Sequence, residues 1–299
     1  LQRVSGLTDA PDKVSYLSGM LICFLLAETY LRLTHSGRFI SLGRASLIGL
    51  LTLVLLSVYA AGMRNGAIEL SLIFAMFAVL FVRENRRHLS RKVAILVLPV
   101  LALVAVAFAY LSYRSDERWQ SFVDTVPLAW DTHNNRQWIN WERRNELRLP
   151  NGEPVDWSNY MRMARIRAGV NLVREYPLGV GYGRNAFAHA VMKKYGENSS
   201  HSHSGLIDLA VGTGIPGTLL WLGFLGSLAV LGWRRFRQTH DYCALALLFL
   251  VTGYGVRMVL DSIVRDHMLQ MFLFLAAFLA VIAAGQLARQ RALAAAPPG

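Results

Sequence analysis

Charge is scarce in this chain. Asp, Glu, Lys and Arg make up 17% of its 299 residues, against roughly 25% in a soluble domain, and that shortage argues against an ordinary soluble enzyme. Cysteine is scarcer still. Cys23 and Cys243 are the two present; both lie in or beside apolar stretches far apart in the chain, which excludes a disulfide framework and leaves no metal-ligand spacing. No internal repeat is visible, and the one biased stretch is the terminal RALAAAPPG, expected to be disordered.

What the chain has instead is apolar length. Hydrophobic residues make up 54% and the mean hydropathy is +0.34. They gather into about seven runs near residues 14–33, 45–63, 66–82, 93–113, 205–232, 242–260 and 268–287. A bilayer core about 30 Å thick needs about 20 apolar residues per helix, so each run is long enough to cross or nearly cross it. The fold class expected is an all-α polytopic membrane protein. Its parts are four spans in residues 1–113, a loop domain over 114–204, and three spans with a tail over 205–299.

The formal net charge of +12, from 31 Lys plus Arg against 19 Asp plus Glu, would suggest nucleic acid in a soluble protein. Here the position of the charges points elsewhere. RENRRHLSRK, with Arg83, Arg86, Arg87, Arg91 and Lys92, and WRRFRQTHD, with Arg234, Arg235 and Arg237, sit in short loops between apolar runs. Short basic loops mark the cytoplasmic side, and nucleic acid is not an expected partner. Alternation then places residues 32–44 and the tail with Arg289 and Arg291 inside as well. The N-terminal segment, the link 63–65, the stretch 114–204 and the link 261–267 fall outside. The outer loop of about ninety residues contains Trp119, Trp130, Trp138, Trp141 and Trp157 and mixes both charge signs, as a small, mainly helical folded cap would. Because Leu1 is not Met and its segment is assigned outside, further spans are expected before it.

Four outward features could carry chemistry. Arg64 stands at the mouth of two spans, four residues before Ile68. It is either an interfacial arginine whose aliphatic stem lies along apolar surface or an anion site, since guanidinium stays charged and bonds two oxygens at once. Arg162, Arg165 and Arg167 crowd one helical segment; Arg162 and Arg165 share a face, which repulsion disfavours unless an anion or acid lies opposite. Gly179, Gly181 and Gly183 follow, without the strand that a dinucleotide loop requires. His201 and His203 come where the cap re-enters the membrane, open to reading as structural histidines, a general base or, weakly, a metal pair. Arg257 and Asp261 are four apart, as in a helix-face ion pair. Within the spans, Glu28 and Glu69 are costly to bury and are expected to face a cavity or a partner absent from this chain.

Taken together, Arg64 with Ile68, Arg162 before Pro177-Leu178-Gly179-Val180-Gly181, and His203-Ser204 followed after nine residues by Gly214-Ile215-Pro216-Gly217 resemble the O-antigen ligase family. That family lies within the superfamily shared with O-antigen polymerases and protein O-oligosaccharyltransferases. Ile68 replaces the leucine of the family's Arg-x3-Leu element. The resemblance implies a Gram-negative inner-membrane protein of about twelve spans. It also implies transfer of a glycan from undecaprenyl diphosphate to the lipid A core oligosaccharide at the periplasmic face, among membrane lipids. The roles it implies are His203 as catalytic base and Arg64, Arg162, Arg165 and Arg167 at the diphosphate, with His201, Ser204, Gly214 and Gly217 in support. Arg165 and Arg167 could alternatively hold the cap through Glu142 or Asp156.

No Asp-x-Asp motif occurs in the outer segments. No metal and no cofactor is therefore expected at the reaction, with fixed arginines stabilising the leaving diphosphate. Nor is a nucleotide-binding loop visible, consistent with a reaction driven by the carrier's own diphosphate bond. A single displacement would invert the anomeric carbon, and no carboxylate stands out as the nucleophile of a double one. Polymerase and protein-glycosylating activities share this membrane plan and differ in acceptor. A transporter would need an inverted repeat, which is not seen, and a scaffold cap would make His203 dispensable.

Overall fold

Helix is nearly all that these residues form. The computed structural model describes Thr8 and residues 10–35, 37–85, 122–139 and 147–295. Its helices are α1 (Pro11–Thr34), α2 (Arg44–Ala61), α3 (Arg64–Asn85), α4 (Phe122–Trp130), α5 (Trp157–Glu175), α6 (Ala186–Tyr195), α7 (Gly205–Thr239), α8 (Tyr242–Leu260) and α9 (Asp266–Ala295). Among the described residues there is no strand, only an isolated bridge between Arg148 and Pro154. Among the described residues six helices are long and apolar enough to cross a membrane: α1, α2, α3, α7, α8 and the Asp266–Gly285 part of α9. The chain is an all-α, multi-span membrane protein. The run at 93–113 lies outside the described residues, as do Trp119, Trp141 and Glu142.

The chain divides into two compact units, one of residues 1–101, 223–257 and 267–299, the other of residues 102–222 and 258–266. In the first unit, α1 starts with Pro11 and Asp12 and ends with Arg32 in its last turn, matching ring geometry and charge to the helix ends. α2 stops at Gly62, whose φ of 60° lets its N–H reach the Tyr59 carbonyl, and Gly62 and Met63 alone separate α2 from α3. One stripe of α2, through Leu47, Val54, Val58 and Ala61, is buried. Ile48, Leu53, Leu55, Leu56 and Tyr59 are exposed, an apolar surface suited to lipid rather than water.

Tyr30 centres an aromatic cluster, meeting Phe77 and Phe236 edge-on at 5.6 and 5.5 Å and donating to the Leu80 carbonyl at 3.1 Å. The two acids in the spans are satisfied within this unit, which corrects the expectation that they face a cavity or an absent partner. Glu28 accepts from Arg32 Nε at 2.6 Å and from the Phe39 and Ile40 amides at 3.2 Å each. Glu69 Oε2 accepts from Arg257 at 3.1 Å, and the same Arg257 nitrogen donates to Ser15 Oγ at 2.9 Å. Its other terminal nitrogen donates to the Asp12 carbonyl at 3.3 Å. Helix spacing pointed from Arg257 to Asp261; Glu69 is a partner that such spacing cannot reveal.

Arg257 is fully buried and Glu69 nearly so, and removing one member strands the other's charge in a low-dielectric interior. Arg257→Met is therefore expected to destabilise the protein by about 3–5 kcal/mol. The double variant Arg257→Met/Glu69→Met should recover most of that loss. Denaturation in mixed micelles measures both.

In the second unit, α5 is capped by Asp156, whose Oδ1 accepts from the Ser158 and Asn159 amides at 2.9 and 3.3 Å. Its inner face, Tyr160, Ala164, Ala168 and Leu172, recurs at helical spacing and packs with Trp138, Phe187, Val191 and Val211. Trp138 is fully buried and meets Tyr195 of α6 edge-on at 5.6 Å. The residues between 114 and 204 that are described thus include a folded helical core.

Candidate active site

The sequence of α7 forces a break near its start. Pro216 has no N–H to give the Gly212 carbonyl, so a continuous helix would leave that oxygen unpaired. The chain breaks at Gly214 (φ 69°, ψ −174°), a conformation essentially restricted to glycine. The segment Pro177 to Gly181 then supplies what the helix loses. Val180 N–H donates to the Val211 carbonyl at 2.9 Å, Gly181 N–H donates to the Gly212 carbonyl at 3.0 Å, and Ile215 N–H donates to the Pro177 carbonyl at 2.8 Å. Gly179, at φ 85°, lies so close that a Cβ would overlap the Gly212 carbonyl. The glycine run and the Gly214-Ile215-Pro216-Gly217 motif are two halves of one backbone lock. Gly217 contributes space, since a Cβ there would overlap the Thr213 side chain.

Immediately before α7 the chain makes a tight turn with His203 at φ 63°, a sparsely populated conformation for a non-glycine residue. Ser202 and Ser204 bracket it: Ser202 Oγ donates to the Ser204 carbonyl at 2.8 Å and accepts from the Ser204 amide at 3.1 Å. Asp208, in the first turn of α7, accepts from the Ser202 amide at 2.8 Å. The Asp261 carbonyl accepts from the Gly205 amide at 2.9 Å. Ser204 thus supports His203 through backbone geometry.

The two imidazoles lie 4.4 Å apart, inclined at 62°. Arg265 Nη2 donates to His201 Nδ1 at 3.0 Å; because guanidinium only donates, His201 is the acceptor there and carries its proton on Nε2. Arg165 is buried and donates to Ser200 Oγ at 2.7 Å and to the His201 carbonyl at 3.4 Å. Burial first, then His201 and the cations Arg162, Arg165 and Arg265, push His203 down to about 3. His201 is pushed down to about 4 by burial first, then Arg265, with Asp208 opposing. At neutral pH both rings are uncharged and surrounded by guanidinium.

Unfolded histidine titrates near 6.5, so below that pH the unfolded chain binds protons that the folded chain refuses. The stability carried by the neutral pair is full above about pH 6.5 and is lost as pH falls toward the folded values. By pH 5 the loss is on the order of 2 kcal/mol per histidine. Denaturation at pH 7 and pH 5 measures it, and His201→Gln/His203→Gln should lose correspondingly less.

His203, His201, Ser204, Arg162 and Arg165 come together in the second unit, to which Gly214 and Gly217 also belong, further along α7. Arg167, also on α5, has its guanidinium over the Trp130 ring at 5.2 Å. Asp156 is occupied as a helix cap, and Glu142 is outside the described residues. Arg64 belongs to the first unit, where it is the first residue of α3 and partly buried; the positive end of the helix dipole there favours anions. Ile68, one turn on, is 37% exposed. Asp208, Ser200 and Ser202 were not singled out by sequence reasoning, and Arg265 stood out only as one of the charged residues after Arg257 and Asp261, with nothing to link it to His201. Asp208 alone left a signal, as an acid in the first turn after the two histidines.

A family model described as O-antigen ligase matches residues 47–222, more than half of the chain. The chain belongs to the O-antigen ligase family. The matched region of this O-antigen ligase family member takes in Arg64, Arg162, Arg165, Arg167, both histidines and the Gly214 break, whereas Arg257 and Arg265 lie beyond it. No curated protein and no solved structure gives a significant match. The family places the chain in the ligase and polymerase superfamily of glycosyltransferase-like membrane proteins.

Proposed function

We propose that this protein transfers a glycan from undecaprenyl diphosphate to the lipid A core oligosaccharide, at the periplasmic face of a Gram-negative inner membrane. The observation that carries the reading is a neutral imidazole, His203, held in a rigid turn among guanidinium groups. In the reaction an acceptor hydroxyl oxygen attacks the anomeric carbon as its proton passes to His203. The bond from that carbon to the diphosphate oxygen breaks, and undecaprenyl diphosphate leaves with the electron pair. One displacement inverts the anomeric centre.

Arg162, with Arg165 and Arg167, is assigned to the diphosphate, where cations placed for developing charge stabilise the transition state more than the ground state. Arg165 also holds the backbone at His201, so it positions as well as charges the site. A base with a conjugate acid near 3 is weak at rest. Burial is the main cause of that weakness, and a diphosphate arriving beside the arginines would offset only their share of it. No metal is assigned a step.

The acceptor is tested with purified protein, labelled lipid-linked glycan, and three acceptors offered separately: rough lipopolysaccharide, a second carrier-linked glycan, and a Ser/Thr-rich protein. Label on lipopolysaccharide is the expected result. Label in longer carrier-linked chains or on protein would assign the polymerase or protein O-oligosaccharyltransferase activity instead.

A further inference from the structure

We propose that His35, Glu84 and His240 form a binding site for one divalent transition-metal cation of the zinc class. The three come from separate parts of the first unit. His35 follows α1, its N–H closing that helix on the Leu31 carbonyl at 2.8 Å; Glu84 is in the last turn of α3; His240 lies between α7 and α8. One ligand atom from each lies within 4.8 Å of the others. Ligands around tetrahedral zinc stand about 3.3–3.5 Å apart, given bonds of about 2.0–2.2 Å, so modest side-chain rotations close the set.

Two further observations single out this cluster. His240 Nδ1 is buried without a hydrogen-bond partner, an arrangement that costs stability unless something binds the nitrogen. The residue also adopts φ 50°, so the backbone is held in a strained conformation that directs this ring. The His35 and His240 rings are 4.1 Å apart and tilted by 45°.

Two imidazoles and one carboxylate suit zinc, cobalt or nickel better than magnesium or calcium, which favour all-oxygen shells. Glu84 and His240 also line a cavity of about 380 Å³ with Tyr30, Arg83, Trp233 and Arg237, which leaves room for water as a fourth ligand. Arg83 and Arg237 each lie over the Trp233 ring, at 5.4 and 5.6 Å. A bound cation would tie the ends of α1 and α3 to the α7–α8 connection. The site is independent of the transfer reaction proposed above.

The test is zinc titration of the full chain in detergent, stripped with EDTA and desalted, by calorimetry, with cobalt absorption reporting coordination. One equivalent should bind and raise the Tm of the wild-type protein. Affinity should fall by at least about tenfold in each of His35→Ala, Glu84→Gln and His240→Ala, whose elution profiles and metal-free Tm check folding. His201→Ala/His203→Ala should bind as the wild type does. No stoichiometric binding, binding that survives all three substitutions, or binding lost in the His201/His203 variant would each overturn the proposal.

Discussion

His203→Ala is expected to reduce turnover by about 10²–10⁴, the usual contribution of a positioned general base, while leaving donor affinity within about threefold of wild type because the diphosphate contacts are assigned to arginine. The distinction rests on geometry. His203 is the middle residue of a turn fixed by Ser202 and Ser204, so deleting the imidazole removes the proposed proton acceptor without removing the guanidinium groups around it. Alanine in a left-handed conformation adds some strain of its own. His203→Asn separates the two effects, since asparagine adopts that conformation readily. Both variants should show the loss in kcat rather than in KM, read from initial rates across donor concentrations. A loss confined to KM would assign His203 to binding.

Gly214→Ala is expected to abolish transfer and destabilise the second unit by more than about 3 kcal/mol, the range of combined backbone strain and steric overlap. At φ 69° and ψ −174° any side chain is strained. The new Cβ would also overlap the Leu178 carbonyl carbon and the Pro177 oxygen, which are backbone and cannot turn aside. Relief would require Pro177–Gly181 to leave α7, giving up the three hydrogen bonds that satisfy the broken helix. Gly183→Ala is the matched control: a Cβ there meets nothing within 4 Å, and activity and Tm should change little. Thermal unfolding in detergent, beside transfer rates, compares the two.

The spans were legible because lipid leaves a chain few choices. Every backbone polar group must be paired internally; the apolar run at 242–260 coincides with α8, and the run at 205–232 starts with α7, which continues to Thr239. His203 and Arg162 were legible as members of spaced motifs. The glycine run was noticed and not understood. Judged as a nucleotide loop it lacked a strand, whereas its partner is a helix broken a few dozen residues later by Gly214 and Pro216. The partners of Arg265 and Glu69 were illegible in a stronger sense. The contact of Arg265 with His201 joins positions 64 apart, and that of Glu69 with Arg257 joins positions 188 apart. One-dimensional spacing reports neighbours along a helix and is silent about neighbours across it. For the same reason no spacing drew attention to His35, Glu84 and His240.

The most direct measurement follows labelled glycan through a single turnover, with carrier-linked donor preloaded on wild type and on His203→Asn and rough lipopolysaccharide added to both. The account predicts that label moves to lipopolysaccharide in the wild type, with inverted anomeric configuration, and stays on the carrier in the variant although both bind donor. Equal transfer by the variant, or label that never reaches lipopolysaccharide in the wild type, would contradict it.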